Sequence, residues 1–380
     1  MLNLLFYTFS LKTFYRCAYL CALNICYLED LQKILRPSRI IYPVLLGLAA
    51  AVWLLLRNFD KDAFGFFEWT WAAAAGLTGA FAMMAVRDLA YMYRIRILTD
   101  NKLSWKQSFQ VIMLWEFSSA VSPSVVGGTG PAIFFLYKEG INTGKSTAVV
   151  LTAIFLDEVF FVLMVPLLFL FFGEMVFPPD EALMFADGLK LALVIGYLII
   201  LIYTLLLAYT LFFNPYFFKW LLSFVFLLPL LRRWRLRMRK MANQLIITSN
   251  ELKGKSFWYW TKAFLATFFS WTGRYWVVNF MFMAFFFSHL GIADHFLIYA
   301  RQLTMWLILL VSPTPGGSGI AEIIFSDFLG DLLPNVSWVI PLALLWRLIS
   351  YYPYLFIGAI VLPGWLKRVL DKKPVYRKID

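Results

Sequence analysis

The stretch Ser312–Glu322, read S-P-T-P-G-G-S-G-I-A-E, lies between two apolar runs, Leu297–Val311 and Ile323–Leu333, and leaves the chain very few ways to fold. Each run is about 11–15 residues, roughly 16–23 Å as a helix, too short for a hydrocarbon core of about 30 Å. Pro313, Pro315, Gly316, Gly317 and Gly319 forbid a continuous helix through the loop. Non-helical backbone at membrane depth is tolerated only where it is buried in protein or lines a cavity. Two half-helices meeting at a loop, a re-entrant hairpin, satisfy both constraints.

The pattern recurs at Ser122–Pro131, read S-P-S-V-V-G-G-T-G-P, with Pro123, Gly127, Gly128 and Gly130. Setting Gly127, Gly128, Thr129 and Gly130 on Gly316, Gly317, Ser318 and Gly319 puts Glu158 on Arg347, an ionisable residue in the following span of each half. Nearly the same register sets Arg87 on Arg274 in the preceding span. Matched Gly/Pro-interrupted segments in two halves of a membrane protein point to a transporter's binding site.

Composition agrees with a membrane setting. Of 380 residues, 62% are hydrophobic and 15% charged, outside the range of soluble domains. The net charge of +12 suggests nucleic acid at first sight, but the basic residues alternate with apolar spans and form no soluble basic domain. We read them as cytoplasmic positive charge and expect no nucleic-acid partner. All three cysteines lie at or before Cys26, so no disulfide framework or Cys-based metal site is expected elsewhere. Residues 1–36 read as an apolar or interfacial segment, or the product of an upstream start, rather than as a signal peptide.

Charge bias sets the expected topology. Ile40–Leu56 and Trp69–Tyr93 cross first, and Arg94–Lys106 is a basic cytoplasmic loop. The first hairpin opens from the cytoplasm. Ser146–Phe172 crosses outward, acidic Gly173–Gly188 is external, and Leu189–Phe212 returns. Pro215–Leu231 is read as an interfacial helix beside the basic cluster Arg232–Lys240. Trp258–Phe287 crosses outward, the second hairpin opens from outside, and Trp338–Leu362 returns. The expected fold is an all-α polytopic membrane protein of about six transmembrane helices plus two re-entrant hairpins, arranged as two inverted repeats. The repeats cover about 37–172 and about 189–367, and 368–380 is a basic cytoplasmic tail.

Arg87, Arg274 and Arg347 are expensive in hydrocarbon, about 2.5–3.5 kcal/mol each on insertion scales, so they should face a polar interior. Their partners are expected among Asp88, Glu116, Asp157, Glu158 and Glu322, or on a substrate phosphate, which suits the guanidinium fork. Asp157 and Glu158 serve either as ion-pair or as coupling residues. Gly140–Ser146, G-I-N-T-G-K-S, is one residue short of a phosphate-binding loop and lacks its strand. His289 and His295, near an external loop, read as surface residues rather than metal ligands. With no acid-rich metal motif, no histidine–carboxylate spacing and no cysteine in the spans, neither a cofactor nor an enzymatic activity is expected.

These residues resemble the membrane domain of the bacterial lysylphosphatidylglycerol synthase/flippase family and its stand-alone flippase-like relatives. The match rests on S-P-T-P-G-G-S-G-I-A-E at 312–322, on Arg347 in L-W-R-L followed by Gly358, and on Pro123 with Gly127-Gly128. It extends over about Arg36 to Lys367. The chain departs from the family in carrying Glu158 where arginine is usual, and it stops soon after the last span without a soluble aminoacyl-transferase domain. The resemblance implies lipid translocation without lipid synthesis, in a bacterial inner membrane with both termini cytoplasmic. A phospholipid or polyprenyl-phosphate headgroup is the expected partner, and a homo-oligomer is possible. In that reading the two glycine loops cradle phosphate, the three arginines balance its charge and Glu322 orients an arginine. The rival reading is an ion-coupled secondary transporter of a small solute.

Overall fold

The computed structural model describes residues 70–121, 128–177, 186–214, 249–286, 290–309, 320–334 and 338–371, with isolated positions between 216 and 246. The first expected span, most of both glycine loops (Pro123, Gly127, Pro313, Pro315, Gly316, Gly317 and Gly319 among them), His289 and nearly all of 215–231 lie outside the described residues. Among the described residues the regular elements are all helical.

Helix α1, Trp71–Leu98, starts where Thr70 Oγ1 accepts from Ala73 N at 3.1 Å, and an Ala-rich first half favours the helix. It ends when the N–H groups of Asp100 and Asn101 turn back onto Ile97 O (3.0 Å) and Arg96 O (2.7 Å), with both residues left-handed at φ 54° and 57°. This end corrects the expected one. The helix continues past Tyr93 and buries Arg94, which charge counting had placed in a cytoplasmic loop.

Helix α2, Trp105–Val121, opens on a reciprocal cap: Ser104 N donates to Gln107 Oε1 (2.9 Å) and Gln107 N to Ser104 Oγ (3.3 Å). Helix α3, Thr129–Lys138, returns beside it. Gln107 Nε2 at the start of α2 donates to Glu139 Oε2 just past the end of α3 (2.7 Å), so the pair is a hairpin whose two ends lie together. Near its tip a side chain at Gly128 would press on Ser119 and Trp115, so a larger residue here requires those side chains to shift. At 17 and 10 residues, the two helices are roughly 25 and 15 Å long.

The G-I-N-T-G-K-S stretch is a helix-to-helix turn. Gly140 takes φ 98° after α3, and Asn142 Oδ1 accepts from Lys145 N (2.7 Å) to start α4, Thr143–Phe172. Helix α5, Ala186–Ala208, runs into a π-helical turn, Tyr209–Phe213. Helix α6 is Phe257–Phe286, and α7, Ile292–Leu309, with α8, Ile320–Leu329, makes the second hairpin. The last expected span is broken: α9, Val339–Ser350, ends at Tyr351 (φ −125°, ψ −55°) and α10, Tyr352–Asp371, follows. Pro353 has no N–H for the Ile349 carbonyl, which accounts for the break. Helix α10 passes through Arg368, which the sequence reading assigned to the tail.

The core is built on α1 and α6. Gly76 faces Ala284, Gly79 faces Phe280, Ser270 Oγ donates to Arg87 O (3.2 Å) and Arg94 Nη1 donates to Thr267 Oγ1 (3.0 Å), so the two helices run antiparallel along their whole length. Among the described residues, three segments are long and apolar enough to cross a membrane: Thr143–Val176, Leu193–Phe213 and Pro341–Val369. Helices α1 and α6, at 28 and 30 residues, match a span in length but not in apolarity, because each turns polar groups toward the other.

Candidate functional site

Among the described residues, four buried arginines and the half-buried Arg368 hold the helices together, and they differ in how much of the guanidinium is already engaged. Arg87, 2% exposed, donates from Nη1 to Asp88 Oδ1 (2.8 Å) and to Tyr354 OH (2.6 Å), while Nη2 pairs with Glu116 Oε1 (2.7 Å). Tyr354 OH in turn donates a hydrogen bond to Asp88 Oδ1 (2.7 Å). The structure thus brings together three residues picked from sequence, Arg87, Asp88 and Glu116, and ties α1, α2 and α10 to one another.

Two turns along the same face, Arg94 grips Asp157 on α4 through Nη1 (2.5 Å) and Nη2 (3.1 Å). Trp271 Nε1 (2.7 Å) and Tyr91 OH (3.2 Å) also donate to that carboxylate. Asp157 is therefore saturated by a residue that sequence reasoning had placed outside the membrane. The available signal was spacing: Arg87, Tyr91 and Arg94 recur at helical period.

Two further centres were missed. Arg301 on α7 donates to Phe328 O (2.9 Å), Asp331 Oδ1 (2.5 Å) and Met175 O (3.0 Å), locking the second hairpin to the end of α4. Arg368 on α10 pairs with Glu139 and donates to Gln110 Oε1 (2.6 Å), with Trp365 Nε1 on the same glutamate (2.7 Å).

Arg368 Nε is buried with no hydrogen-bond partner, and Arg347 likewise keeps a buried donor unused. On α9 and 5% exposed, it donates from Nε to Glu322 Oε1 in the first turn of α8 (3.1 Å), and Tyr351 lies 4.7 Å from its guanidinium carbon. Its Nη2 is buried with no hydrogen-bond partner. An arginine nitrogen in that state is an open donor near the first turn of α8. Arg274 on α6 is half-buried over Trp271 (5.7 Å) and forms no ion pair among the described residues. Glu158 meets none of the three arginines expected as its partner; its Oε2 is buried without a donor.

His295 is a correction. It is buried, with Nδ1 3.0 Å from Asn279 Oδ1, because α7 begins at Ile292 and draws it inward. Among the described residues no cluster of three or more His, Cys, Asp or Glu side chains is placed to hold a metal.

At the far end of the bundle, Asp100 is bound by Lys145 at the start of α4 and by Lys255 Nζ (2.6 Å) just before α6. Burial on its own would raise the proton affinity of this carboxyl, but the two lysines override it and hold Asp100 below the ordinary carboxylate range.

With this geometry in hand, comparison with known proteins is specific. A UPF0104 membrane protein of Archaeoglobus fulgidus is 26% identical over 312 residues, covering 74% of this chain and 84% of the relative. No solved structure matches the chain significantly. The sequence profile described as lysylphosphatidylglycerol synthase TM region matches residues 40–358, which include every arginine centre except Arg368. The chain belongs to the lysylphosphatidylglycerol synthase transmembrane-region family.

Proposed function

We propose that the protein moves an anionic lipid headgroup across the cytoplasmic membrane by alternating access, with the acyl chains left in the bilayer. The observation that carries this reading is the buried, unpartnered Nη2 of Arg347, whose Nε holds Glu322 in the first turn of α8. A guanidinium that gives Nε to Glu322 and keeps Nη2 open can donate to a phosphate oxygen without breaking an existing bond. Arg274 supplies the second positive charge. Arg87, by contrast, is assigned to the scaffold, since its donors are held by Asp88, Glu116 and Tyr354.

An inverted-repeat organisation is part of the proposal. Helix lengths recur in order, 28 and 30 residues for α1 and α6, 17 and 18 for α2 and α7, 10 and 10 for α3 and α8. The antiparallel α1–α6 contact is what a two-fold axis between such halves requires. On this reading both hairpins are re-entrant and the glycine loops approach the headgroup phosphate through backbone N–H groups. The basic end at Asp100 faces the cytoplasm. The mechanism involves no bond-making step, and the lipid itself supplies no cofactor.

Leaflet-to-leaflet movement of labelled anionic phospholipid in vesicles holding the purified protein tests this. Wild type should accelerate movement, and Arg347→Lys should abolish most of it, since lysine keeps the charge but loses the fork. Glu322→Gln should retain lipid binding, because it removes the charge of Arg347's protein partner and leaves Nη2 open. Transport of a soluble solute with no lipid movement would replace this reading by the ion-coupled solute transporter.

A further inference from the structure

Glu158 stands apart from the arginine centres. It occupies the middle of α4, adjacent to Asp157 in sequence but about 100° away around the helix, so the two carboxylates serve different neighbours. Asp157 points to α1 and α6, where Arg94, Tyr91 and Trp271 all reach it. Glu158 lies on the face that meets α5, between two contacts that fix this interface. One turn before it, Phe155 packs edge-on against Phe212 (5.4 Å); one turn after it, Tyr197 OH donates to Val162 O (3.2 Å). At that apolar seam Glu158 is half-buried, and its Oε2 is fully buried and receives no hydrogen bond.

The charged and titratable groups around it are few. Among the described residues, Asp157 on its own helix is the charged group that acts on it, and the neutral Tyr203 on α5 lies within reach of its carboxyl. Helices α1 and α6 direct their polar side chains to Asp157 instead, and among the described residues α3 and α7 place no charged group against Glu158. A bare carboxylate in such a place is far less stable than the neutral acid. A metal cation would need several oxygen ligands, and Asp157 has none to spare. A proton needs only the one oxygen.

We propose that Glu158 is a proton-carrying site that couples transport to a proton gradient. The inference rests on the translocase reading for what is transported, but not for the protonation itself. Helix α4 closes the first half of the chain and α5 opens the second. Any rocking of one half against the other parts this seam, exposes the carboxyl to water and lets it release H⁺ to one side. Closure restores the apolar seam only after the carboxylate has taken up a proton again. One proton binds and one leaves per cycle, with no change in oxidation state.

Two measurements decide it. Infrared spectra of the purified protein in vesicles at neutral pH should contain the C=O stretch of a protonated carboxylic acid that Glu158→Gln lacks, the near-isosteric substitution leaving thermal unfolding unchanged. An identical spectrum in both proteins means that Glu158 is ionised and overturns the proposal. In vesicles with a pH gradient and labelled anionic phospholipid, wild type should move lipid faster with the gradient than without it. Glu158→Gln should lose that stimulation entirely while keeping gradient-free movement. Equal stimulation in both proteins also overturns it. If wild type moves no lipid under any condition, the translocase reading fails, and the infrared band still decides whether Glu158 holds a proton.

Discussion

At the scale of single residues, the arginines divide by whether their donors are used. Arg94 and Asp157 satisfy each other inside the protein, so removing one leaves the other buried and alone. Arg94→Met should destabilise by about 3–5 kcal/mol, read from chemical or thermal unfolding in detergent, and Arg94→Met with Asp157→Leu should recover part of the loss. Arg274→Gln should leave unfolding nearly unchanged, as expected for a half-buried cation without an acid partner among the described residues. This distinction was only partly legible in the sequence. Arg87, Asp88 and Glu116 announced themselves as charges inside apolar runs, and so did Arg347 with Glu322. Arg94 did not, because it stands near Arg96 at a span end, where positive charge is expected anyway. Its inward turn is decided by Asp157, 63 residues further along. The same limit hid Arg301 and His295, whose burial depends on where α7 begins rather than on anything local.

At the scale of elements, close helix contacts and one ionic clasp carry the argument. A methyl group at Gly76 would stand 2.6 Å from Ala284 Cα, so Gly76→Ala should cost about 1–3 kcal/mol through overpacking, and Ala284→Gly should relieve little because backbone lies in the way. Thermal unfolding of the two single variants and the double variant checks this. Asp100 ties the α1–α2 turn to the start of α4 and to the segment before α6. Since folding lowers its proton affinity, the unfolded chain binds more protons as pH falls into the carboxylate range. The stability that Asp100 contributes is thus complete above about pH 4, its unfolded value, and is lost as pH drops through the lower folded value. The difference in unfolding temperature between wild type and Asp100→Asn should be clear at pH 7 and shrink at pH 3; a difference that grows on acidification contradicts the clasp. Among the described residues, the long helices and the helix pairs α2–α3 and α7–α8 could be read from apolar run lengths and Pro/Gly interruptions. The ends of α1 and the break at Tyr351 could not be placed as well, since an apolar count passes smoothly through a capped turn or a proline.

For the whole molecule, the two halves interlock through α1 and α6 rather than sitting side by side. Chains cut in the basic segment between 214 and 249 should therefore associate when made together, and copurify through a tag on either piece. Failure of the pieces to copurify would mean that the α1–α6 contact does not hold the halves by itself. The order of partners along the chain has a consequence for how the protein is made. Arg87 finds Asp88 and Glu116, and Arg94 finds Asp157, all within the first half, whereas Thr267, Trp271 and Tyr354 come from the second. As the chain leaves the ribosome, the cations of α1 are neutralised before α6 has been synthesised, so the first half can settle in the bilayer while the second is still being translated. What remains for the later helices is to seal its polar face, and a pause in elongation before α6 would leave a membrane-inserted intermediate with that face uncovered.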